Sequence, residues 1–262
     1  MSLHNKVIWI TGASSGIGEA LAHALVAKNS KLIISARNEA ALQAIKTNYP
    51  SALIEVLPFD LLDFDTTPAV VAKAISFYGK VDVLVNNGGI SQRSLIAETD
   101  FAVDKKIMDV DYFGTIALTK ALLPHFIKNQ SGHYVTVTSL MGKFGSPYRS
   151  GYCAAKHALH GYFDVMRMEH EKDGVAVTLV CPGFVQTNVA INALTADGSP
   201  QVKNSETTAN GMLLADFIPK MVRAMEQKKF EVYIGKKEVL GIYLKRFLPK
   251  YLHKVVLKSK VN

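Results

Sequence analysis

The 262-residue chain is 48% hydrophobic and 20% charged, which suits one α/β domain with a full core and excludes a disordered polymer. No apolar run is long enough to cross a membrane, and the two cysteines, Cys153 and Cys181, lack metal spacing, which argues for a reducing, cytoplasmic setting. The net charge of +8 sits at one end: from residue 236 onward eight Lys/Arg stand against one Glu, so residues 1–235 sum to +1 and show no nucleic-acid-binding character.

Residues 6–10 read as an apolar strand, so close to Met1 that no room is expected for a signal peptide. Thr11-Gly-Ala-Ser-Ser-Gly-Ile-Gly18 comes next, and then a helical run over 19–28. Glycines at 12, 16 and 18 between strand and helix let backbone approach a pyrophosphate and let the helix pack close. The anion would lie at the helix N-terminus, where free N–H groups and the dipole favour it. A plain tight turn is the alternative reading.

Strand and helix patterns keep alternating, the signature of a doubly wound parallel sheet. The strand at 31–35 ends in Ala36-Arg37, where an NAD site usually carries Asp or Glu for the ribose 2′-hydroxyl. A guanidinium there can grip a 2′-phosphate instead, which points to NADP(H), unless Arg37 is a solvated turn residue. Further strands are expected at 53–57, 81–85, 133–138, 175–180 and 230–234, with helices at 66–77, 100–120, 152–170 and 213–227.

The stretch from Ser139 to Lys156 organises the chain. Ser139 ends a buried strand, at the carboxyl edge where open α/β sheets bind ligands. Tyr152 and Lys156 stand at i, i+4 on one helix face. An ammonium held there favours the phenolate form, which equips a tyrosine to pass a proton near neutral pH.

Together these residues resemble the short-chain dehydrogenase/reductase family in its compact single-domain branch. The marks are Thr11–Gly18, Asp60-Leu61, Asn86-Asn-Gly-Gly89, Ser139, Tyr152-x-x-x-Lys156 and Pro182-Gly183. Asn86–Ser94, Ser146–Ala158 and Asn192–Ser199 look closest to the family's "member seven" dehydrogenase/reductases. The resemblance implies a Rossmann fold and an NADP(H)-dependent enzyme that interconverts a carbonyl and an alcohol. It assigns the cofactor to Gly12, Ser14, Ser15, Gly16, Ile17, Gly18, Arg37, Asp60, Leu61, Asn87, Gly88, Pro182, Gly183, Val185 and Thr187, with Tyr152 and Lys156. Ser15 stands where the family often has a second basic residue. Catalysis is assigned to Ser139, Tyr152 and Lys156. The family's relay Asn is Asp111 here, which could pair with Lys156 and weaken that group's hold on Tyr152. A homodimer or homotetramer through the helices at 100–120 and 152–170 is also implied.

Other features bear on substrate and partners. Arg149 reads as a solvated loop cation, with an acidic substrate group as the alternative. His157 and His160 stand at i, i+3 but lack a third ligand, so they read as surface or interface residues and no metal is expected. The polar run over 188–208 reads as a mobile lid with few buried contacts, within an oxidoreductase domain over 1–235. Residues 236–262 form a basic amphipathic tail that either packs on the domain, covering a hydrophobic pocket, or lies on an anionic membrane surface. The tail and lid suggest a hydrophobic ketone or aldehyde substrate. The rival reading is a non-enzymatic NADP(H)-binding sensor or scaffold.

Overall fold

Short runs rich in Val, Ile and Leu alternate with amphipathic segments. In the computed structural model, which describes residues 1–202 and 206–259, those runs form one parallel sheet. The strands are β1 (Val7–Thr11), β2 (Lys31–Ser35), β3 (Ile54–Val56), β4 (Val83–Asn86), β5 (Gly132–Val137), β6 (Val175–Pro182) and β7 (Glu231–Ile234). Around them run α1 (Gly16–Val26), α2 (Glu39–Thr47), α3 (Thr67–Tyr78), α4 (Phe101–Ile107), α5 (Thr115–Lys128), α6 (Ser150–Glu169), the short α7 (Glu206–Ala209), α8 (Leu214–Glu226), α9 (Leu240–Phe247) and α10 (Pro249–Lys258). The sheet order is β3-β2-β1-β4-β5-β6-β7. The chain winds outward from β1, returns to β4 beside it, and winds outward again. The fold is the expected doubly wound, Rossmann-like sheet.

Alternate residues of each strand feed two cores. On one face Ile8, Ile10, Leu32, Ile34 and Val83 meet Leu21 and Leu25 of α1, Ile45 of α2 and Phe217 of α8. On the other, Trp9, Ile33, Leu84 and Tyr134 meet Ala74 of α3, Leu122 of α5 and Phe163 of α6. With both faces covered, the sequence shows continuous apolar runs rather than polar alternation.

Where a single helix is expected at 100–120, the chain forms α4, a π-helical turn over Met108–Gly114, and α5, which runs on to Lys128. A π turn inserts an extra residue into the helix and rotates the faces of the residues C-terminal to it. Gly114 sits tightly against the loop after β3, since a Cβ there would lie 2.6 Å from the Leu61 carbonyl oxygen. Asp111, in the middle of the turn, is fully buried.

Three expectations are corrected in detail. His160 is buried, not a surface residue: it lies against Gly142, with Nε2 3.8 Å from Cys181 Sγ and Nδ1 3.6 Å from Glu231. Glu231 also holds the Lys143 ammonium at 2.9 Å. His157 turns away and bonds the Cys153 carbonyl. The described part of 188–208 makes more buried contact than its weak periodicity predicts. Ala190, Ala193 and Leu194 are buried, and Leu194 exchanges backbone hydrogen bonds with Ser91 and Arg93. Residues 203–205 of that segment lie outside the described residues. The third correction, Arg149, belongs to the site.

The tail breaks at Pro249, whose ring cannot continue the preceding helix. Leu252 is buried, and Leu244 and Val256 pack partly onto Leu140, Met141 and Phe144 beside Tyr152. Gly241 lets α9 sit on Phe144, whose ring would be 2.7 Å from a Cβ. The other stripe, with Tyr243, Phe247, Leu248, Tyr251 and Leu257, faces solvent among Lys245, Arg246, Lys250, Lys254 and Lys258.

Candidate active site

Parallel strands whose order reverses between β1 and β4 leave a crevice at their carboxyl ends. A cleft of about 750 Å³ opens there. Except for Gly18 and Asp111, every residue expected at the site lines it, from Gly12 through Arg37, Asp60 and Asn87 to Ser139, Tyr152, Lys156 and Thr187. Gly18 is buried in the α1–β1 junction, and Asp111 lies behind Lys156.

The β1–α1 end is made of backbone. Gly12 has φ +64°, and a Cβ on it would lie 2.7 Å from Gly88 Cα. A Cβ on Gly18 would lie 2.3 Å from the Gly12 carbonyl oxygen, so the first turn of α1 is pressed onto the loop. Asn87 ties the two loops together by donating to the carbonyls of Thr11 and Gly12 at 3.0 and 3.1 Å. Thr11 Oγ1 accepts from the amides of Asn87 and Gly88, a contact with no signature in the sequence. The result is a cradle with free α1 amides, and it fits a dinucleotide pyrophosphate. Arg37 is 70% exposed at the mouth, 3.9 Å from Asp60, and has room to meet a phosphate.

At the other end the side chains carry the chemistry. Ser139 Oγ accepts from the Met141 amide at 3.1 Å, which leaves its hydroxyl proton to donate into the cleft. The Lys156 ammonium lies 5.5 Å from the Tyr152 ring centre, over the ring face. It also pairs with Asp111 at 3.1 Å, and both groups are buried. The other Asp111 oxygen accepts from the Ile90 amide at 2.7 Å, and Gly89 packs against the same carboxylate. Asp111 therefore clamps the loop after β4 to Lys156. Burial pushes the Asp111 carboxyl up, against the pull of Lys156 and the Ile90 amide. For Lys156, burial is the largest influence and opposes the charge, but Asp111 and Tyr152 together hold the ammonium above its ordinary pKa.

Beside Tyr152 lie groups to which the sequence reading assigns no catalytic or cofactor role. Gln92 is fully buried, accepts from the Gly151 amide at 2.8 Å and donates to Ser94 and Thr99. It thereby fastens the loop after β4 to the start of α6. Beside it lie Arg93 and Arg149, both lining the cleft. Arg149 is buried at 6% exposure, not the solvated cation expected. The available signal was position: Gln92 and Arg93 come just after a strand's carboxyl end, where ligands bind in this class of sheet.

The short chain dehydrogenase family profile matches residues 6–197. A Drosophila melanogaster protein named dehydrogenase/reductase SDR family protein 7-like is 37% identical over 267 residues, covering 99% of this chain and 82% of its own length. Among solved structures, a Streptomyces avermitilis short-chain dehydrogenase is 28% identical with a TM-score of 0.83, covering 99% of this chain and 100% of its own. A Burkholderia phymatum short chain dehydrogenase/reductase, solved in complex with NAD, shares the fold at a TM-score of 0.85 and 20% identity, covering 96% of each chain. The chain belongs to the short-chain dehydrogenase/reductase family and is an oxidoreductase that uses a nicotinamide dinucleotide. Within the family it is similar to the member-seven group.

Proposed function

We propose that the protein is an NADP(H)-dependent oxidoreductase that interconverts a ketone or aldehyde and the corresponding alcohol. The observation that carries this reading is the meeting of Ser139, Tyr152 and Lys156 on one wall of a cleft whose other end is a glycine-built phosphate cradle. Bound there, the nicotinamide supplies or accepts the hydride. Tyr152 gives its proton to the carbonyl oxygen, and Ser139 donates a hydrogen bond to the same oxygen as charge develops on it. Lys156 supports the phenolate and reaches toward the ribose. Asp111 holds Lys156 in place and occupies the relay position. Pro182, Gly183, Val185 and Thr187 floor the nicotinamide end, with Asp60 and Leu61 beside the adenine.

NADP(H) is preferred because Arg37 stands where a ribose-binding acid would be, exposed and able to make charge-assisted bonds to a 2′-phosphate. Val110, Phe184, Val189 and Leu194 give the cleft apolar walls for a hydrophobic substrate body, and the segment 188–202 acts as its lid. Exposed Phe113, Val165 and Met168 on the π turn and α6 support a homodimer or homotetramer. The unpacked stripe of α9 and α10, with its lysines, supports peripheral contact between an otherwise cytoplasmic protein and anionic membranes.

One observation favours a second reading. The Lys156 ammonium is engaged by Asp111, which would weaken its support of Tyr152 and suits a nucleotide-binding sensor without turnover. NADPH oxidation against a panel of ketones and aldehydes separates the two. Turnover lost in Tyr152→Phe supports the enzyme; tight NADPH binding with no turnover on any carbonyl sinks it.

A further inference from the structure

Two guanidiniums line the cleft beside Tyr152. Arg149 caps the N-terminus of α6, where its carbonyl accepts from the Cys153 amide, and its guanidinium lies 5.6 Å from the Phe184 ring centre. Its Nε and Nη2, the two donors on one edge of the guanidinium fork, are buried and have no hydrogen-bond partner among the described residues. Arg93 spends Nη1 on Ser91 and on the Gln92 carbonyl, and its buried Nε is also unbonded. Among the described residues neither arginine has a carboxylate partner, and Asp60, the one carboxylate lining the cleft, faces Arg37 at the far end. Lys106 lines the cleft too. Burial, then the nearby Arg149, brings Arg93 down to about 10, and burial lowers Arg149 as well; guanidiniums in proteins keep their charge.

A buried guanidinium without an acid is costly, because its lost hydration is not replaced. Such a cost persists where a ligand relieves it. The placement is also stiff: Tyr148 adopts φ 65° just before Arg149, its carbonyl accepts from Ser94, and Gln92 locks both loops. Two parallel N–H groups on one free edge match the two oxygens of a planar carboxylate. The start of α6 adds a favourable dipole for negative charge.

We infer that Arg149, assisted by Arg93, binds a carboxylate of the substrate, so that this enzyme acts on oxo acids, or the matching hydroxy acids, with an apolar body. The reacting carbonyl rests on the oxidoreductase reading above; the carboxylate site does not.

The test uses the full chain loaded with NADPH and an unreactive pair, hexanoate and hexanamide, in titration calorimetry. Wild type should bind hexanoate about 100-fold more tightly, as two charge-assisted bonds in a dry site imply. Arg149→Met should bring the two ligands within about threefold. Arg93→Met should narrow the gap by about tenfold, because Arg93 has fewer free donors. Equal or absent binding of both ligands to wild type overturns the site without any variant having to fold. So does an Arg149→Met protein that binds NADPH poorly yet keeps the preference, since Arg149 would then be a cofactor contact. Turnover of an oxo acid and its methyl ester separates this inference from the broader reading. Neutral ketones reduced with no preference for the acid sink the carboxylate site alone. Selective hexanoate binding with no turnover of any carbonyl sinks the reductase and leaves the site standing.

Discussion

At the β1–α1 end the cleft is shaped by backbone, with Gly12, Gly18 and Gly88 so close that added methyl groups would overlap their neighbours. At the α6 end it is shaped by charges, namely the buried Lys156, Asp111 and Arg149 and the part-buried Arg93. The first end is limited by space and recognises what any dinucleotide presents. The second is limited by charge balance and can be retuned one residue at a time without moving the chain. Substitutions should therefore fail differently at the two ends: by steric exclusion of cofactor at one, and by altered chemistry with cofactor still bound at the other.

The largest expected effect lies at the charged end. Tyr152→Phe removes the proton donor and should lower kcat by about 10²–10⁴-fold. NADPH affinity, read by fluorescence, should stay within a few-fold; a comparable loss of affinity would erase the distinction between the ends. At the backbone end, Gly18→Ala places a methyl 2.3 Å from the Gly12 carbonyl oxygen, so α1 must shift. Overpacking of this kind costs about 1–3 kcal/mol, and the melting temperature should fall by several degrees as NADPH affinity drops. Normal affinity in Gly18→Ala would show that the tight junction is not part of the cradle. A smaller effect is expected for Arg37→Ala. KM for NADPH should rise about tenfold, as for a lost charge-assisted contact, with little change for NADH. Equal changes for both cofactors would remove Arg37 from the 2′-phosphate.

The backbone end was legible in the sequence because its constraint is local. A strand, three spaced glycines and a helix lie within about twenty residues. Tyr152 and Lys156 were legible for the same reason, one helical turn apart. The charged end was read less well. Arg149 looks like any loop cation until Gln92, 59 residues from Gly151 in sequence, is seen to fasten its loop to α6. Likewise, the helical periodicity over 100–120 carries no sign of the π turn, at whose end Gly114 closely approaches the Leu61 backbone. His160 lies on the helix face that reaches Glu231 only after β7 has docked beside β6. Long-range pairing hides charge partners from a linear reading.

Asp111→Asn probes charge balance directly. Burial alone would lower the Lys156 ammonium, but Asp111, with help from Tyr152, holds it above its ordinary pKa. Without the carboxylate, Lys156 should lose its proton at lower pH. A reaction that needs the ammonium should then show its alkaline limb moved to lower pH, in a kcat profile taken with saturating NADPH. An unmoved limb would mean that Lys156 does not depend on Asp111 for its charge, and that Asp111 serves the loop after β4 through Ile90 instead.

The smallest effect concerns the network that supports the charged end from behind. Glu231 meets Lys143 at 2.9 Å and His160 at 3.6 Å, and His160 underlies Gly142 in the turn just after Ser139. Burial would raise the Glu231 carboxyl, but hydrogen bonds from His160, Tyr233 and Lys143 bring it down to about 2. A carboxyl depressed in the folded state stabilises the fold above its unfolded pKa, near 4.5, and that contribution fades as pH falls toward 2. Wild type should thus lose melting temperature across this window more steeply than Glu231→Gln, which has no proton to take up. The backbone end contains no matching group among the described residues, so hydrogen exchange at about pH 3 should open the 139–144 turn before the loop at 11–18. Simultaneous opening of both would show that the two ends, though built differently, unfold as one unit.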